Sequence, residues 1–139
     1  MHTSVRGIVN YNDQIVLIHR VKKRDDGSVR DYYVVPGGKI EENESKMEAL
    51  KREIQEELGI EVDIGNLILE LDDREYNDSF QYFYECKYKS GELGTGNGPE
   101  FTDKVNYKGL FEIVLVDRDE IRNLNLVPEK IKDVLIGNE

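Results

Sequence analysis

The sequence lacks several features that mark particular classes of protein. It has no apolar run near the roughly 18–20 residues of a membrane-spanning helix. Its first residues, MHTSVRG, lack the apolar core of a secretory signal peptide. Its one cysteine, Cys86, cannot form an internal disulfide, and its place in an apolar stretch predicts a core residue. These absences exclude a disulfide scaffold and favour a cytoplasmic protein.

Positive charge is also scarce. The chain has 19 lysines and arginines against 29 acidic residues, which gives a net charge of −10 at pH 7. Such a charge disfavours nonspecific binding to the nucleic-acid backbone and to anionic membranes, so we expect neither a nucleic-acid polymer nor a membrane as partner. A small nucleotide can still bind where metal ions and a few arginines neutralise its phosphates locally.

Length and composition predict one globular domain over residues 1–139. The chain is 38% hydrophobic and 35% charged, and 139 residues are enough for one core but too few for two ordinary ones. We find no internal repeat and no linker. The sequence leaves the oligomeric state, monomer or homodimer, open.

Apolar runs separated by turn signals predict a domain of strands and helices. The ranges that favour strands are 4–11, 14–19, 32–35, 61–71, 80–89 and 107–116. Apolar residues at both parities in 15–18 indicate a strand buried on both faces. Helices are expected at 45–58, after Asp117, and at 128–136. Residues 22–30 and 90–104 are predicted to be loops.

The segment 38–60, GKIEENESKMEALKREIQEELGI, is the most informative part of the chain. Ser45 and Glu48 form the pattern of a capping box at the start of a helix, and Gly59 suits the left-handed residue that ends one. One face of this helix is apolar and consists of Met47, Leu50, Ile54 and Leu58.

The neighbouring face of the same helix is a cluster of carboxylates. On a helix that advances about 100° per residue, Glu53, Glu56 and Glu57 fall within roughly 100° of arc. These side chains repel one another, so a cation should compensate them. Hard oxygen ligands at this density suit Mg²⁺ or Mn²⁺, and the neighbouring Arg52 can hold a carboxylate in a ligating position.

Written as a pattern, the segment is Gly38, five residues, Glu44, seven residues, then REIQEELGI at 52–60. It resembles the signature of the Nudix hydrolases, G-x5-E-x7-R-E-U-x-E-E-x-G-U with U aliphatic, and every fixed position is filled. The plain alternative is a solvated acidic helix, which has no need of an arginine and two glycines at fixed distances. The resemblance implies an α+β protein with the Nudix fold, an α/β/α sandwich with a central mixed β-sheet.

The resemblance also implies roles for residues of the motif. Glu53, Glu56 and Glu57 would be the ligands of Mg²⁺ or Mn²⁺, and Arg52 would orient Glu53. The backbone carbonyl of Gly38 would be a further ligand, although two glycines after a strand are also typical of a simple turn.

Two functions outside the metal cluster have candidates. Arg20, at the end of the second strand, occupies a place where related enzymes carry an arginine that meets substrate phosphates, and the alternative is a surface arginine. The proton of the attacking water would be taken by Glu53 or by a carboxylate from a later loop. Glu100 is the first candidate in that loop, followed by Asp103 and Glu112.

Aromatic residues are the candidates for stacking on a nucleobase. Tyr33 and Tyr76 are assigned this role, although aromatics in strands more often fill the core. Tyr76 also occupies the place of a tyrosine found in members that cleave dinucleoside polyphosphates. Glu75 stands where members that cleave ADP-ribose carry a proline.

The expected activity is hydrolysis of a diphosphate bond in a nucleoside diphosphate linked to a group X. A canonical or oxidised nucleoside triphosphate would give the monophosphate and pyrophosphate. The alternative is a nucleotide-binding sensor without catalysis, a class that commonly loses motif carboxylates, all of which are present here. Isomerisation of an isoprenoid diphosphate would require a further catalytic cysteine and glutamate in a larger domain.

Overall fold

The computed structural model describes residues 2–96 and 109–137. The strands in these ranges are β1 His2–Tyr11, β2 Gln14–Lys23, β3 Val29–Val34, β4 Gly37–Lys39, β5 Ile60–Asp73, β6 Ser79–Gly91 and β7 Gly109–Val116. The helices are α1 Lys46–Leu58, α2 Arg74–Asn77, a 3₁₀ helix Arg118–Asn123 and α3 Glu129–Ile136. Within the described ranges, none of the helices combines the length and the apolar character needed to span a membrane.

The sheet is mixed, as predicted. β1 runs parallel to β6, and β6 is antiparallel to β5. On its other edge β1 pairs antiparallel with the short β4 and, at its end, with β2. β2 then continues between β3 and β7, antiparallel to both. The hairpin between β1 and β2 therefore joins two groups of strands, and the sheet opens between them.

Side chains alternate between two cores, one on each face of the sheet. The first core lies under α1 and contains Val5, Val9, Val16, Ile60, Val62, Tyr84 and Cys86 together with Ala49, Leu50, Ile54 and Leu58. The second lies under the 3₁₀ helix and α3 and contains Ile8, Ile15, Leu17, Val35, Phe83, Val116, Ile121, Leu126, Ile131 and Leu135. Because successive strand residues point to opposite faces, adjacent residues supply different cores. The arrangement is the predicted α/β/α sandwich.

Helix α1 begins and ends where the sequence predicts. Ser45 is the N-cap, and it forms the capping box with Glu48 through both reciprocal hydrogen bonds. Gly59 is left-handed, with φ of 78°, and its amide donates to the carbonyl of Gln55. A Cβ at Gly59 would also collide with Thr95. The C-terminal end of α1 is thus fixed both by its own cap and by the segment that follows β6.

One predicted loop needs correction, and the predictions for Asp117 and Cys86 are confirmed. The predicted loop at 22–30 is shorter than expected, because Lys22 pairs with Arg30 and Lys23 with Val29 in the hairpin of β2 and β3, which leaves residues 24–28 as its turn. The charged side chains hid the strand pattern, since both faces of this hairpin are exposed near its turn. Asp117 does cap the short helix with Glu120. Cys86 is a core residue, and burial raises the pKa of its thiol to about 12.

Replacement of Leu50 by alanine should lower the free energy of unfolding by about 2–5 kcal/mol, because the side chain is fully buried between α1 and the sheet. Met47 lies on the same helix but is 37% exposed, so Met47→Ala should change the stability by only about 0.5 kcal/mol. Urea denaturation monitored by circular dichroism measures both values. Equal losses for the two variants would contradict the assigned packing of α1.

Candidate active site

A cleft of about 630 Å³ opens where β1, β2 and β3 meet the C-terminal half of α1. Helix α1 contributes three carboxylates, those of Glu53, Glu56 and Glu57, and the three strands contribute one arginine each. The remaining lining residues are Tyr32, Val34, Gly37, Asp73, Gln81, Phe111, Val127 and Pro128. Both signs of charge therefore meet in one cavity, a composition suited to a polyphosphate bound together with cations.

Arg52 ties the acidic residues of the motif together. Its Nε and Nη2 donate to the two carboxylate oxygens of Glu44, at 2.6 and 3.0 Å. Its Nη1 donates to Glu53 at 3.0 Å and to Glu56 at 3.3 Å. Nη2 also donates to the carbonyl of Lys39 at 3.1 Å. The rigid fork of the guanidinium thus fixes α1 against the segment that precedes it.

These contacts set the charge state of the cluster. Hydrogen bonding from Arg52 holds the pKa of the Glu44 carboxyl below its ordinary value, and the same pair raises the pKa of Arg52. Burial raises the pKa of Glu53, and the positive charge of Arg52 opposes that shift. Glu44 is therefore the anionic partner of Arg52, whereas burial disfavours the charged form of Glu53.

The glycine turn, defined as residues 35–38, includes the first two residues of β4 and lies against two of the carboxylates. A Cβ at Gly38 would lie 2.6 Å from the carboxyl carbon of Glu53, so only glycine leaves room for that side chain. The amide of Gly37 donates to Oε1 of Glu57 at 2.7 Å. Gly37 itself has φ of 148°, and a Cβ there would run into the backbone of Val5 and Arg6. Both glycines thus serve close backbone approach, and Gly37 also needs its unusual φ.

The donor set fits a hard divalent cation. Three carboxylates from one helix line the cleft, and carboxylate and carbonyl oxygens are what Mg²⁺ and Mn²⁺ prefer. In the described part of the chain no three acidic, histidine or cysteine side chains converge as a ready-made metal site. Arg52 engages Glu53 and Glu56, while the Gly37 amide engages Glu57. The ligand roles of Glu53, Glu56, Glu57 and the Gly38 carbonyl stay predictions.

The strands place Arg20 in the cleft, in the middle of a row of cations and rings. Arg20 lies between Tyr32 on β3 and Phe111 on β7 in the sheet register, and its guanidinium lies 5.7 Å from the centre of the Phe111 ring. Arg30 lies over the ring of Tyr32 at 4.1 Å. These four side chains form an aromatic and cationic surface opposite the carboxylates of α1.

Tyr33 is not part of this surface. Because successive residues of β3 face opposite sides, Tyr32 lines the cleft and Tyr33 does not. The Tyr33 ring stacks on His19 at 4.5 Å and packs against the second core. Its position therefore gives no support to the predicted contact with a nucleobase.

Three other predicted residues have side chains outside what the structure describes. Glu100 and Asp103 lie outside the described residues. Tyr76 lies in the short helix α2, and its side chain is likewise outside what is described. Glu112 lies opposite His19 in the pairing of β7 with β2 and does not line the cleft.

Sequence reasoning missed Arg6, Arg30, Asp73, Gln81 and Phe111, all of which line the cleft. A signal for Arg6 was available. Ile8 belongs to the second core, and the period of two puts Arg6 on the same face of β1, one step beyond the end of that core. The other residues carry no local signal, because β2, β3, β5, β6 and β7 meet only in the folded sheet.

Two known proteins are similar in sequence to part of this chain. The chain is 36% identical over 64 residues to a CTP pyrophosphohydrolase of Escherichia coli (strain K12). The matching stretch covers 46% of this chain and 45% of the relative. It is 36% identical over 62 residues to an 8-oxo-dGTP diphosphatase of Proteus vulgaris, covering 45% of this chain and 53% of the relative. The chain thus spans about half the length of the curated relatives it matches.

The fold has close counterparts among solved structures. The solution structure of the E. coli ORF135 protein superposes with a TM-score of 0.67 at 24% identity, covering 96% of this chain and 86% of that one. The NUDIX domain family matches residues 1–131, which include the whole of the motif at 38–60. The chain belongs to the NUDIX domain family.

Proposed function

We propose that the protein hydrolyses a diphosphate bond in a nucleoside diphosphate linked to a group X and depends on Mg²⁺ or Mn²⁺. The observation that carries this proposal is the meeting of Glu53, Glu56 and Glu57 with Arg20 and Arg30 in one cleft. Carboxylates hold divalent cations, and arginines bind phosphate oxygens. A substrate with two or more phosphates satisfies both groups at once.

Glu53, Glu56, Glu57 and the Gly38 carbonyl would hold the cation. When bound, it lowers the pKa of the attacking water and neutralises charge on the leaving oxygen. Arg52 keeps Glu53 and Glu56 oriented from behind the cluster. Arg20 would bind the phosphates of the substrate from the opposite side.

Water would attack a phosphorus atom of the diphosphate, and the bond between that phosphorus and the bridging oxygen would break. Glu100 or Glu53 would take the proton of the water. Glu100 itself lies outside the described residues.

The proposed substrate is a nucleoside triphosphate, which would give the monophosphate and pyrophosphate. Support comes from the curated relatives, which are described as acting on CTP and on 8-oxo-dGTP. The row of Arg20, Tyr32 and Phe111 offers rings and cations at the strand side of the cleft. A nucleotide sensor without catalysis remains the second candidate, and retention of every motif carboxylate speaks against it.

A substrate panel tests the activity. The panel contains canonical and oxidised nucleoside triphosphates, ADP-ribose, dinucleoside polyphosphates and sugar nucleotides. The purified protein with Mg²⁺ should release phosphate-containing products from at least one of these compounds. Glu56→Gln should lower kcat by about 10²-fold or more, because it removes a charged ligand. Glu129→Gln, an exposed residue of α3, is the matched control and should be unchanged. No turnover of any compound would favour the sensor.

Gly38→Ala tests the position of Glu53. The new Cβ meets only the flexible end of Glu53, so the melting temperature should stay close to that of the wild type while kcat falls by about 10-fold or more. Gly65→Ala is the control, because its Cβ has nothing nearer than 3.4 Å. Steady-state kinetics and differential scanning fluorimetry measure both effects. An unchanged kcat would show that the reaction does not depend on the position of the Glu53 carboxylate next to Gly38.

Glu100→Gln separates the two candidates for the base. If Glu100 takes the proton, kcat should fall by roughly 10²-fold or more while the affinity for Mn²⁺ stays the same, because Glu100 is not a proposed ligand. Glu112→Gln, its rival in β7, is measured in parallel. An unaltered kcat for Glu100→Gln would return the role to Glu53.

A further inference from the structure

Arg6 lies in the cleft but belongs to no motif. It is on β1, and its Nε donates to the side-chain oxygen of Gln81 at 3.1 Å while its Nη1 donates to the carbonyl of Val35 at 3.1 Å. Gln81 is on β6, the strand parallel to β1. Val35 is the first residue of the glycine turn, two residues before Gly37. The guanidinium therefore links the sheet to the segment that leads into β4 and α1.

The same turn is bonded to β1 along its length. The amide of Gly7 donates to the carbonyl of Pro36 at 2.9 Å, and Arg6 pairs with Gly37 in the register of β1 and β4. A Cβ at Gly37 would lie 2.6 Å from the Cα of Arg6. The turn thus lies beside the backbone of Arg6, and the side chain of the same residue also bonds to it through the carbonyl of Val35.

The other side of the turn holds a carboxylate of α1. The amide of Gly37, two residues after Val35, donates to Oε1 of Glu57. A continuous series of contacts runs from Gln81 through Arg6 and the turn to Glu57. Burial lowers the pKa of the Arg6 guanidinium from its ordinary value, and the carboxylates of Glu57 and Glu53 oppose that shift. Arg6 is thus a half-buried cation that interacts electrostatically with both carboxylates.

We propose that Arg6 is a positioning residue of this site, which holds the turn at residues 35–38 so that the Gly37 amide keeps Glu57 in place to receive a divalent cation. The inference rests on the proposed function for the cation, and it assigns to Arg6 no contact with the substrate. Groups that orient ligands from behind typically change metal affinity by about 10- to 100-fold when they are replaced. A lysine keeps the charge but cannot donate in two directions with the geometry of a guanidinium.

The test is a titration of the substrate-free protein with Mn²⁺, in which electron paramagnetic resonance counts the free ion. Arg6→Lys should raise the apparent Kd for Mn²⁺ about 10-fold. Gln81→Leu, which removes one acceptor of Arg6, should raise it by a smaller factor. Arg118→Lys, an exposed residue of the 3₁₀ helix, is the matched control and should bind Mn²⁺ like the wild type.

Kinetics at saturating Mn²⁺ distinguish positioning from contact with the substrate. For Arg6→Lys the KM should stay within about twofold of the wild-type value, because no substrate contact is lost. Arg20→Lys should show the opposite pattern, a higher KM with unchanged Mn²⁺ affinity. An Arg6→Lys protein with wild-type Mn²⁺ affinity would overturn the inference, whether its KM rises or only its melting temperature falls. If the wild type binds Mn²⁺ but hydrolyses no nucleotide, the proposed function is wrong, and the titration still decides on Arg6.

Discussion

The concentration of negative charge on α1 is the constraint on which the site depends. Like charges one turn apart cost roughly 0.2–0.5 kcal/mol per pair when exposed, and more when partly buried. Arg52 counters this repulsion by bonding to Glu44, Glu53 and Glu56 at once. The helix can carry these carboxylates because its other face, with Leu50 and Ile54, is buried in the first core. Packing holds the helix in place, and the guanidinium of Arg52 offsets the repulsion between the carboxylates.

The second requirement is that backbone comes close to the carboxylates. Gly37 and Gly38 lie between β1 and α1 with no room for a side chain at either position. At the far end of the helix, Gly59 and Gly96 allow the segment after β6 to approach the backbone of Glu56 and Glu57. Both ends of the acidic face are therefore fixed by glycines from elsewhere in the chain. An acidic helix at the surface would show neither constraint.

Local patterns were enough to predict the main elements. The strands predicted at 4–11 and 80–89, the capping box at Ser45 and the left-handed Gly59 each depend on residues close in sequence, and the structure agrees with all of them. The outer end of the β2–β3 hairpin was missed because its exposed residues carry charges on both faces. The alternation of side chains along β3 decided which of its tyrosines lines the cleft. Since neighbouring residues face opposite sides, Tyr32 lines it and Tyr33 does not.

By itself, the sequence determined the carboxylates, the arginine and the glycines of the motif, because these act through spacings within one helix and its two ends. The strands that face them were decided only by the tertiary structure. Arg20 and Arg30 are on two strands, and they face the carboxylates across a cleft that exists because β1 and β2 diverge after their hairpin. No local pattern records that divergence, since it follows from pairing between strands far apart in the chain. The sequence thus predicts the chemistry of the cation, whereas the fold selects the residues that meet the rest of the substrate.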